Sequence, residues 1–218
     1  ILAISAHWYV NATAVTAMAH PMTIHDFSGF PNELNEFQYP APCSPELAAR
    51  VAQLLAPTPV ISDDAAWGLD HGTWSVLAQM YPDASISVVQ LSIDASLTSD
   101  QHIALGRSLD QLRSEGVLVL CSGNVVHHLG LLDRSMGGAT FEWAAVFDAE
   151  VQQRMLHDPA SLAGVVDLPE WPRAAPTPEH FIPLLYLAGL ASEPGLNCEV
   201  VVRGGTMGSL TMTSFLVS

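Results

Sequence analysis

Short apolar runs alternate with longer amphipathic stretches along the chain, and three of these segments adjoin a histidine. Residues 1–8 form an apolar run that ends at His7 and a tryptophan, and residues 117–122 form a second run that leads to His127. Continuous apolar runs of this length are typical of strands buried on both faces of a sheet. A later apolar helix is predicted with His180 in its first turn. The pattern therefore predicts two buried strands and one helix, each next to a histidine.

The remaining periodicity completes an α/β order of elements. Further strands are predicted at residues 14–19, 60–61, 86–93, 199–203 and 210–217, and helices at residues 47–55, 73–80, 99–114, 143–156 and 177–190. Ser99 and Thr177 are the predicted caps of two helices, with Pro178 in the first turn of the last one. Because strands alternate with helices, we expect a single α/β catalytic domain over residues 1–218. It would have a mostly parallel central sheet flanked by helices on both faces, with an antiparallel C-terminal hairpin on the sheet edge.

The three segments that adjoin a histidine predict one metal site. Open α/β sheets bind ligands outside the carboxyl ends of their strands, so His7, His127 and His180 are expected to converge there. A single histidine near the end of an element is more often a satisfied structural residue, but three together favour a metal ion. Imidazole nitrogens suit iron, zinc, copper and nickel, so the histidines alone do not select the metal.

Composition narrows the range of partners. The 218 residues include 22 acidic side chains against 7 basic ones, all of them arginine, and the net charge is −15. Such a surface repels phosphate backbones, which argues against nucleic acid as a partner. No apolar run reaches the length that spans a bilayer, so no membrane partner is predicted. The three cysteines are far apart and form no paired motif, which favours a reducing, cytoplasmic location.

Seven motifs, taken in chain order, resemble those of one enzyme family. They are Ser-Ala-His-Trp at residues 5–8, Thr-Ile-His-Asp-Phe-Ser-Gly-Phe-Pro at 23–31, Tyr-Pro-Ala-Pro at 39–42, Trp-Gly-Leu-Asp-His-Gly-Thr-Trp at 67–74, Ser-Gly-Asn-Val-Val-His at 122–127, Thr-Pro-Glu-His at 177–180 and Met-Gly-Ser-Leu at 207–210. Together they resemble the class III extradiol ring-cleavage dioxygenases, in the branch that includes 4,5-DOPA dioxygenase. That family normally has an upstream His-Gly-Ser-Pro motif with a further metal ligand. Because the chain begins at Ile1 within a predicted strand, we expect a preceding segment that carries it.

The resemblance implies a non-haem enzyme that opens a catechol ring beside its diol with O2. Fe(II) is the expected metal, and Zn(II) is the alternative in the same site. The substrate would be DOPA or another small catechol, and the product a muconate semialdehyde. His7 and His180 match metal-ligand positions of the family, and His127 matches a histidine that is a ligand in some members and the acid/base in others. His71 matches a pocket histidine expected to contact the substrate and to take part in catalysis.

Neighbouring side chains leave several alternatives open. Glu179 rivals His180 as a metal ligand, because facial-triad iron sites often include a carboxylate. In one helical turn the two side chains would point about 100° apart, so only one could face the metal, and the family match favours His180. His25 and Asp26 could touch the side chain of the substrate or only hold their loop. Trp8 could wall the ring pocket or be part of the core.

Two other functions fit the same histidines. A zinc-dependent hydrolase would use them around an activated water and would consume no O2. A non-catalytic binding protein on the same scaffold is favoured if the upstream motif is missing from the natural protein. The dioxygenase is the preferred prediction, because it alone accounts for all seven motifs.

Overall fold

The computed structural model describes residues 1–218 and has the secondary structure of an α/β protein. The strands are β1 (Leu2–Val10), β2 (Ala14–Thr16), β3 (Ile61–Asp63), β4 (Val89–Asp94), β5 (Val119–Ser122), β6 (Cys198–Val202), β7 (Gly205–Thr206), β8 (Leu210–Thr211) and β9 (Ser214–Val217). The helices are α1 (Asn32–Glu36), α2 (Pro45–Leu54), α3 (His71–Met80), α4 (Ser99–Ser108), α5 (Gln111–Ser114), α6 (Glu142–His157), α7 (Trp171–Ala174) and α8 (Ile182–Ala191). Segments of 3₁₀ helix cover Leu129–Leu131, Arg134–Met136 and Pro159–Asp167.

The central sheet has five strands in the order β3-β2-β4-β1-β5. β1 pairs in parallel with both β4 and β5, and β2 pairs in parallel with β3, whereas β2 and β4 are antiparallel. Every residue of β4 is buried, as is the first half of β1, which is expected of strands covered on both faces. The predicted α/β fold with a mostly parallel central sheet flanked by helices is confirmed.

The chain groups into two compact units, of which the first holds the central sheet. It comprises Ile1–Ser96 and Gln111–Ser122. α2 packs on β2 and β4, and α3 packs on β1. The largest side chains of one buried cluster in this unit are Tyr39, Leu69, Trp74 and Leu77. The assignment of residues 1–218 to one catalytic domain stays a prediction.

The second unit comprises Leu97–Asp110 and Gly123–Ser218, and helix packing holds it together. α4 packs along α8, and both α6 and α8 pack on the 3₁₀ segment Pro159–Asp167. Gly189 allows the close approach of α4 and α8, because a Cβ there would lie 2.6 Å from the backbone nitrogen of Arg107. No helix of the protein is both long enough and apolar enough to cross a membrane.

The C-terminal strands also belong to the second unit, and they differ in part from the prediction. The antiparallel hairpin is confirmed, but β6 and β9 form a separate two-stranded sheet and do not lie on the edge of the central sheet. The strand predicted at residues 210–217 is interrupted, because β8 pairs with β7 across a tight turn. Met207 and Gly208 adopt positive φ angles in that turn, which ends the run of extended residues early.

The predicted helix at residues 99–114 is two helices, α4 and α5. Its cap is Thr98 and not Ser99, because the Thr98 hydroxyl accepts a hydrogen bond from the Gln101 N–H at 3.3 Å. The Gln101 side chain accepts one in return from the Thr98 N–H at 2.8 Å, which completes a capping box. α4 ends at a C-cap, Leu109, before α5 begins.

Helix α8 begins later than predicted. The proline in its first turn is Pro183, not the predicted Pro178. A proline is tolerated there because the first N–H groups of a helix have no partner within the helix. The Phe181 N–H instead reaches the carbonyl of Pro178 at 2.9 Å, in a turn that precedes the helix. Glu179 and His180 therefore lie before α8, so the argument that they point 100° apart around a helix does not apply.

Candidate active site

The first part of the candidate site lies near the carboxyl end of β1. The pairing of β1 with β4 is irregular between Ile4 and Tyr9. Ile4 pairs with Leu91 and Tyr9 with Ile93, so β1 advances by five residues where β4 advances by two. Such irregularities redirect side chains. His7 lies in this segment with 22% of its side chain exposed. Trp8 is 5% exposed and stacks on Trp67 with 5.6 Å between ring centroids, which favours the core alternative for Trp8.

His71 is fixed by the start of helix α3. The Asp70 carboxylate caps this helix by accepting a hydrogen bond from the Thr73 N–H at 3.1 Å, so His71 is the first helical residue. The helix thus begins two residues before the predicted start at residue 73, because its cap is Asp70. Burial raises the pKa of Asp70, against the effect of hydrogen bonds from the side chains of Ser5 and Gln90.

Backbone hydrogen bonds between two loops hold the loop that contains His25 and Asp26 against the start of α3. The Leu69 N–H donates to the carbonyl of Met22, and the Ile24 N–H donates to the carbonyl of Leu69, both at 2.8 Å. The indole N–H of Trp74 donates to the carbonyl of Ile24 at 2.8 Å. These bonds place Asp26, two residues further along, against His7 and His71.

The Asp26 carboxylate joins the two imidazoles. Its Oδ2 lies 2.9 Å from His7 Nδ1, and its Oδ1 lies 2.8 Å from His71 Nδ1 and accepts the His71 backbone N–H at 3.0 Å. Burial opposes the charge of Asp26, but the hydrogen bonds from His7 and His71 outweigh it and hold the pKa of this carboxyl well below its usual range. Because an ionised carboxylate only accepts hydrogen bonds, each ring directs Nδ1–H toward Asp26 and keeps Nε2 as its second functional atom.

This cluster fits a metal ion by its chemistry. One ligand atom from each of His7, Asp26 and His71 lies within 4.8 Å of the others. Two imidazoles and one carboxylate are a donor set typical of non-haem iron sites. Asp26 was predicted either to touch the side chain of the substrate or to hold its loop, and its bonds to His7 and His71 were not predicted. Its position beside His25 in an aromatic loop was the available signal, but only the pairing of Leu69 with the loop brings it to His7.

Aromatic side chains adjoin His71 in the same unit. The Phe27 ring meets the His71 ring edge to face with 5.2 Å between centroids, and Phe37 stacks on Trp74 at 5.1 Å. His25 lies 5.9 Å from Trp74, and its Nε2 is 2.8 Å from the carbonyl of Phe37. The structure therefore places His25 within an aromatic group, where one of its ring nitrogens holds the loop.

In the second unit the structure brings His127 and His180 together. Their rings stack with 3.5 Å between centroids and 9° between planes. The His127 N–H donates to the carbonyl of Ala174 at 2.9 Å, and His127 forms a β-bridge with Leu210. Two of the three histidines predicted as metal ligands thus lie in contact, whereas the contacts of His7 described above are with Asp26 and His71.

The Ser-Gly-Asn motif at residues 122–124 positions His180. A Cβ on Gly123 would collide with the carbonyl oxygen of His180 and would lie 3.1 Å from Cγ of Pro183. The Asn124 N–H donates to that same carbonyl at 2.8 Å. Glycine is therefore required at this position, because the backbone after β5 passes directly against His180.

Glu179, the rival of His180 as ligand, has a local partner. Its Oε1 accepts a hydrogen bond from the Thr177 hydroxyl at 2.6 Å. The ring of His128, which follows His127 in the chain, also has a backbone partner, with Nδ1 at 2.9 Å from the carbonyl of Arg173. These contacts are those of side chains that stabilise turns, which supports His180 over Glu179.

Substitution of Gly72 by alanine should disturb His7. The new Cβ would collide with the Ser5 hydroxyl and lie 3.0 Å from Cδ2 of His7. Glycine-to-alanine changes in helices normally stabilise by about 0.5–1 kcal/mol. Here we expect the opposite, a loss of about 1–3 kcal/mol from overpacking, together with reduced ring opening. Chemical denaturation and turnover assays measure both effects, with Ser75→Ala on the exposed side of α3 as control. A more stable Gly72→Ala protein would contradict this packing.

A mostly parallel α/β sheet with two histidines and a carboxylate beside its first strand defines a candidate metal-dependent enzyme. The family described as catalytic LigB subunit of aromatic ring-opening dioxygenase matches residues 1–212. The 4,5-DOPA dioxygenase extradiol of Escherichia coli K12 is 45% identical over 98% of this chain and 80% of its own length. That of Beta vulgaris is 40% identical over 88% and 73%. A crystal structure of an uncharacterized Escherichia coli K12 protein has a TM-score of 0.84 and 41% identity, over 98% of this chain and 84% of that one.

The chain belongs to the LigB family and is a class III extradiol ring-cleavage dioxygenase. The family is one of non-haem, metal-dependent enzymes whose substrates are a small aromatic molecule and O2. The predicted resemblance and enzyme class are thereby confirmed. Family membership favours the dioxygenase over the hydrolase and over the non-catalytic binding protein.

Proposed function

We propose that this enzyme opens the ring of DOPA or another small catechol beside its diol, with Fe(II) as the native metal and Zn(II) as the alternative. The product would be a muconate semialdehyde. The observation that carries the proposal is the group of His7, Asp26 and His71, in which the Asp26 carboxylate holds the Nδ1 of both imidazoles and directs each Nε2 away from itself. The relatives named for 4,5-DOPA dioxygenase activity support a catechol as the substrate.

His7 and His180 are proposed as metal-ligand residues, on the match of their motifs to the family, and a metal-ligand role is the alternative to the acid/base role for His127. Asp26 is proposed to orient His7, because its Oδ2 lies 2.9 Å from Nδ1 and thereby directs Nε2 away from the carboxylate. Carboxylates that orient metal-binding imidazoles in this way raise their basicity. When bound, the ion supplies the Lewis-acid and redox chemistry that lets a diol ring react with O2.

His127 and His71 are proposed as the catalytic residues, the first for proton transfer and the second for contact with the diol. Opening the ring requires a base that takes a proton from the diol and an acid that returns one, and an imidazole can do both near neutral pH. His127 is assigned this role. His71, whose Nδ1 is held by Asp26, is proposed to contact the diol through Nε2.

The substrate ring is proposed to bind against the aromatic group beside His71. Phe27 and Trp74 lie 6.0 Å apart between centroids, and planar rings pack well against such faces and edges. His25, which lies in the same group, is proposed as a substrate-binding residue, whereas the burial of Trp8 and its stack on Trp67 favour a core role for Trp8 over the substrate-binding role.

The test is to load the protein with Fe(II) without oxygen and then add catechols and O2. We expect uptake of about one O2 per catechol and a yellow semialdehyde product, and little turnover after Zn(II) loading. Absorbance spectra and an oxygen electrode measure both. If the Fe(II)-loaded protein consumes no O2 with any catechol, the proposed substrate class is wrong.

A further inference from the structure

One buried carboxylate of the first unit has no role in the chemistry proposed above. Asp70 is 0% exposed and directly precedes His71. A buried charge is costly unless hydrogen-bond donors surround it. Capping α3 does not explain this cost, because the caps of α2 and α4 are the uncharged hydroxyls of Ser44 and Thr98. The carboxylate at position 70 therefore has a function besides the helix cap.

The contacts of Asp70 reach two strands of the central sheet as well as α3. Its Oδ1 accepts the Thr73 N–H at 3.1 Å, and its Oδ2 accepts the side-chain amide of Gln90, which lies on β4. The Ser5 hydroxyl, on β1, is a further donor to this carboxylate. The Gln90 amide oxygen accepts the Thr73 hydroxyl at 3.0 Å and the Asp70 N–H at 3.4 Å. The NH2 group of Gln90 is thereby directed at Asp70.

This hydrogen-bonded group adjoins both imidazoles of the candidate site. The Ser5 hydroxyl oxygen accepts the His7 N–H at 3.3 Å, and His71 is the first residue of α3. The rings of the two histidines lie 4.0 Å apart between centroids. A Cβ on Gly72 would collide with the Ser5 hydroxyl and lie 3.3 Å from Oδ1 of Asp70, so the group is closely packed. A shift of Asp70 would therefore be passed on to both rings.

We propose that Asp70 is a positioning residue for ring opening, which sets the placement of His7 and His71 by joining β1, β4 and the first turn of α3. The proposal rests on the proposed function, through the roles given there to these two histidines. A buried polar group whose hydrogen bonds are all satisfied is rigid. Small displacements of catalytic groups slow a reaction strongly. Asp70 acts through the residues that it holds and is assigned no contact with metal or substrate.

Asp70→Asn tests the proposal, because asparagine keeps the helix cap but turns an NH2 group toward that of Gln90. The kcat of the Fe(II)-loaded enzyme with DOPA should fall about 10-fold to 100-fold. Adding Gln90→Glu to the same chain should restore most of the loss, because the new carboxylate accepts that NH2 group. Asp94→Asn is the matched control and should keep wild-type turnover, since Asp94 is a buried acid of β4 whose partners are Thr13 and Ser96.

The NMR signals of the imidazole rings make the test independent of turnover. Two-dimensional ¹H–¹⁵N spectra of the metal-free full chain report the protonation and hydrogen bonding of each ring nitrogen. In Asp70→Asn the ring signals of His7 and His71 should shift. The added Gln90→Glu change should reverse that shift, and the exposed His157 should respond to neither substitution.

Thermal unfolding checks that each variant is folded. If Asp70→Asn does not fold, Gln90→Met removes the same amide from Asp70 and should shift the ring signals of His7 and His71 as well. Unshifted ring signals in the folded variant, whatever its turnover, would overturn the proposal, because Asp70 would then only cap α3. If the wild-type enzyme opens no catechol but the ring signals shift and recover as expected, the proposed function fails and the positioning role of Asp70 stands.

Discussion

Replacement of His127 by alanine should nearly abolish ring opening. If this imidazole transfers the protons of the reaction, its loss should lower kcat by about 100-fold to 10,000-fold. Metal content should stay largely intact if the acid/base role is the main one. Single-turnover absorbance and metal analysis of the purified variant measure the two effects separately. Because the His127 ring stacks on that of His180, a proposed metal ligand, we also expect a modest drop in metal affinity.

His157 provides the matched control for this variant, because it is an exposed histidine in the last turn of α6 of the same unit. His157→Ala should retain wild-type turnover. An unchanged kcat in His127→Ala would refute the acid/base assignment. Loss of the metal together with activity would instead assign His127 to the metal.

Asp26→Asn should weaken metal binding about 10-fold to 100-fold, as removal of a carboxylate that orients a ligand imidazole usually does. Asp26 accepts hydrogen bonds from His7 Nδ1 at 2.9 Å and His71 Nδ1 at 2.8 Å. The amide has only one oxygen, so one of the two rings would face an NH2 group and change its tautomer. Fe(II) titration without oxygen measures the affinity, and turnover at limiting Fe(II) should fall in proportion.

Asp64→Asn is the control for the loss of charge, because Asp64 is an exposed acid of the same unit. It should bind Fe(II) like the wild-type protein. Wild-type affinity and wild-type turnover in Asp26→Asn would show that the carboxylate neither orients nor binds anything at the site.

Much of the scaffold could be predicted from the sequence, because burial leaves a direct pattern. β1 and β5 are continuous apolar runs, and the first half of β1 is buried, as expected of a strand covered on both faces. β5 was predicted to be buried as well, but it is an edge strand and its residues are only partly buried. The end of α4 and the start of α8 were less predictable. Thr98 and Ser99 are both good caps, and Pro178 and Pro183 both suit a first turn, so local preference could not choose between them.

The site was only partly predictable for a different reason. His7, His71, His127 and His180 were named because their motifs are distinctive, but their contacts depend on distant parts of the chain. Asp26 reaches His7 through the pairing of two loops at Leu69, and no periodicity within either loop encodes that pairing. The motifs indicated which histidines belong to the candidate site, and the structure adds which side chains are in contact.

The assignment of this protein as a ring-opening dioxygenase is tested most directly by the origin of the oxygen in its product. The Fe(II)-loaded protein is supplied with a catechol under ¹⁸O2, and the product is reduced at once so that its aldehyde oxygen does not exchange. Mass spectrometry should then find both labelled atoms in one product molecule. A product that carries no label, because its new oxygen comes from water and not from ¹⁸O2, would contradict the account.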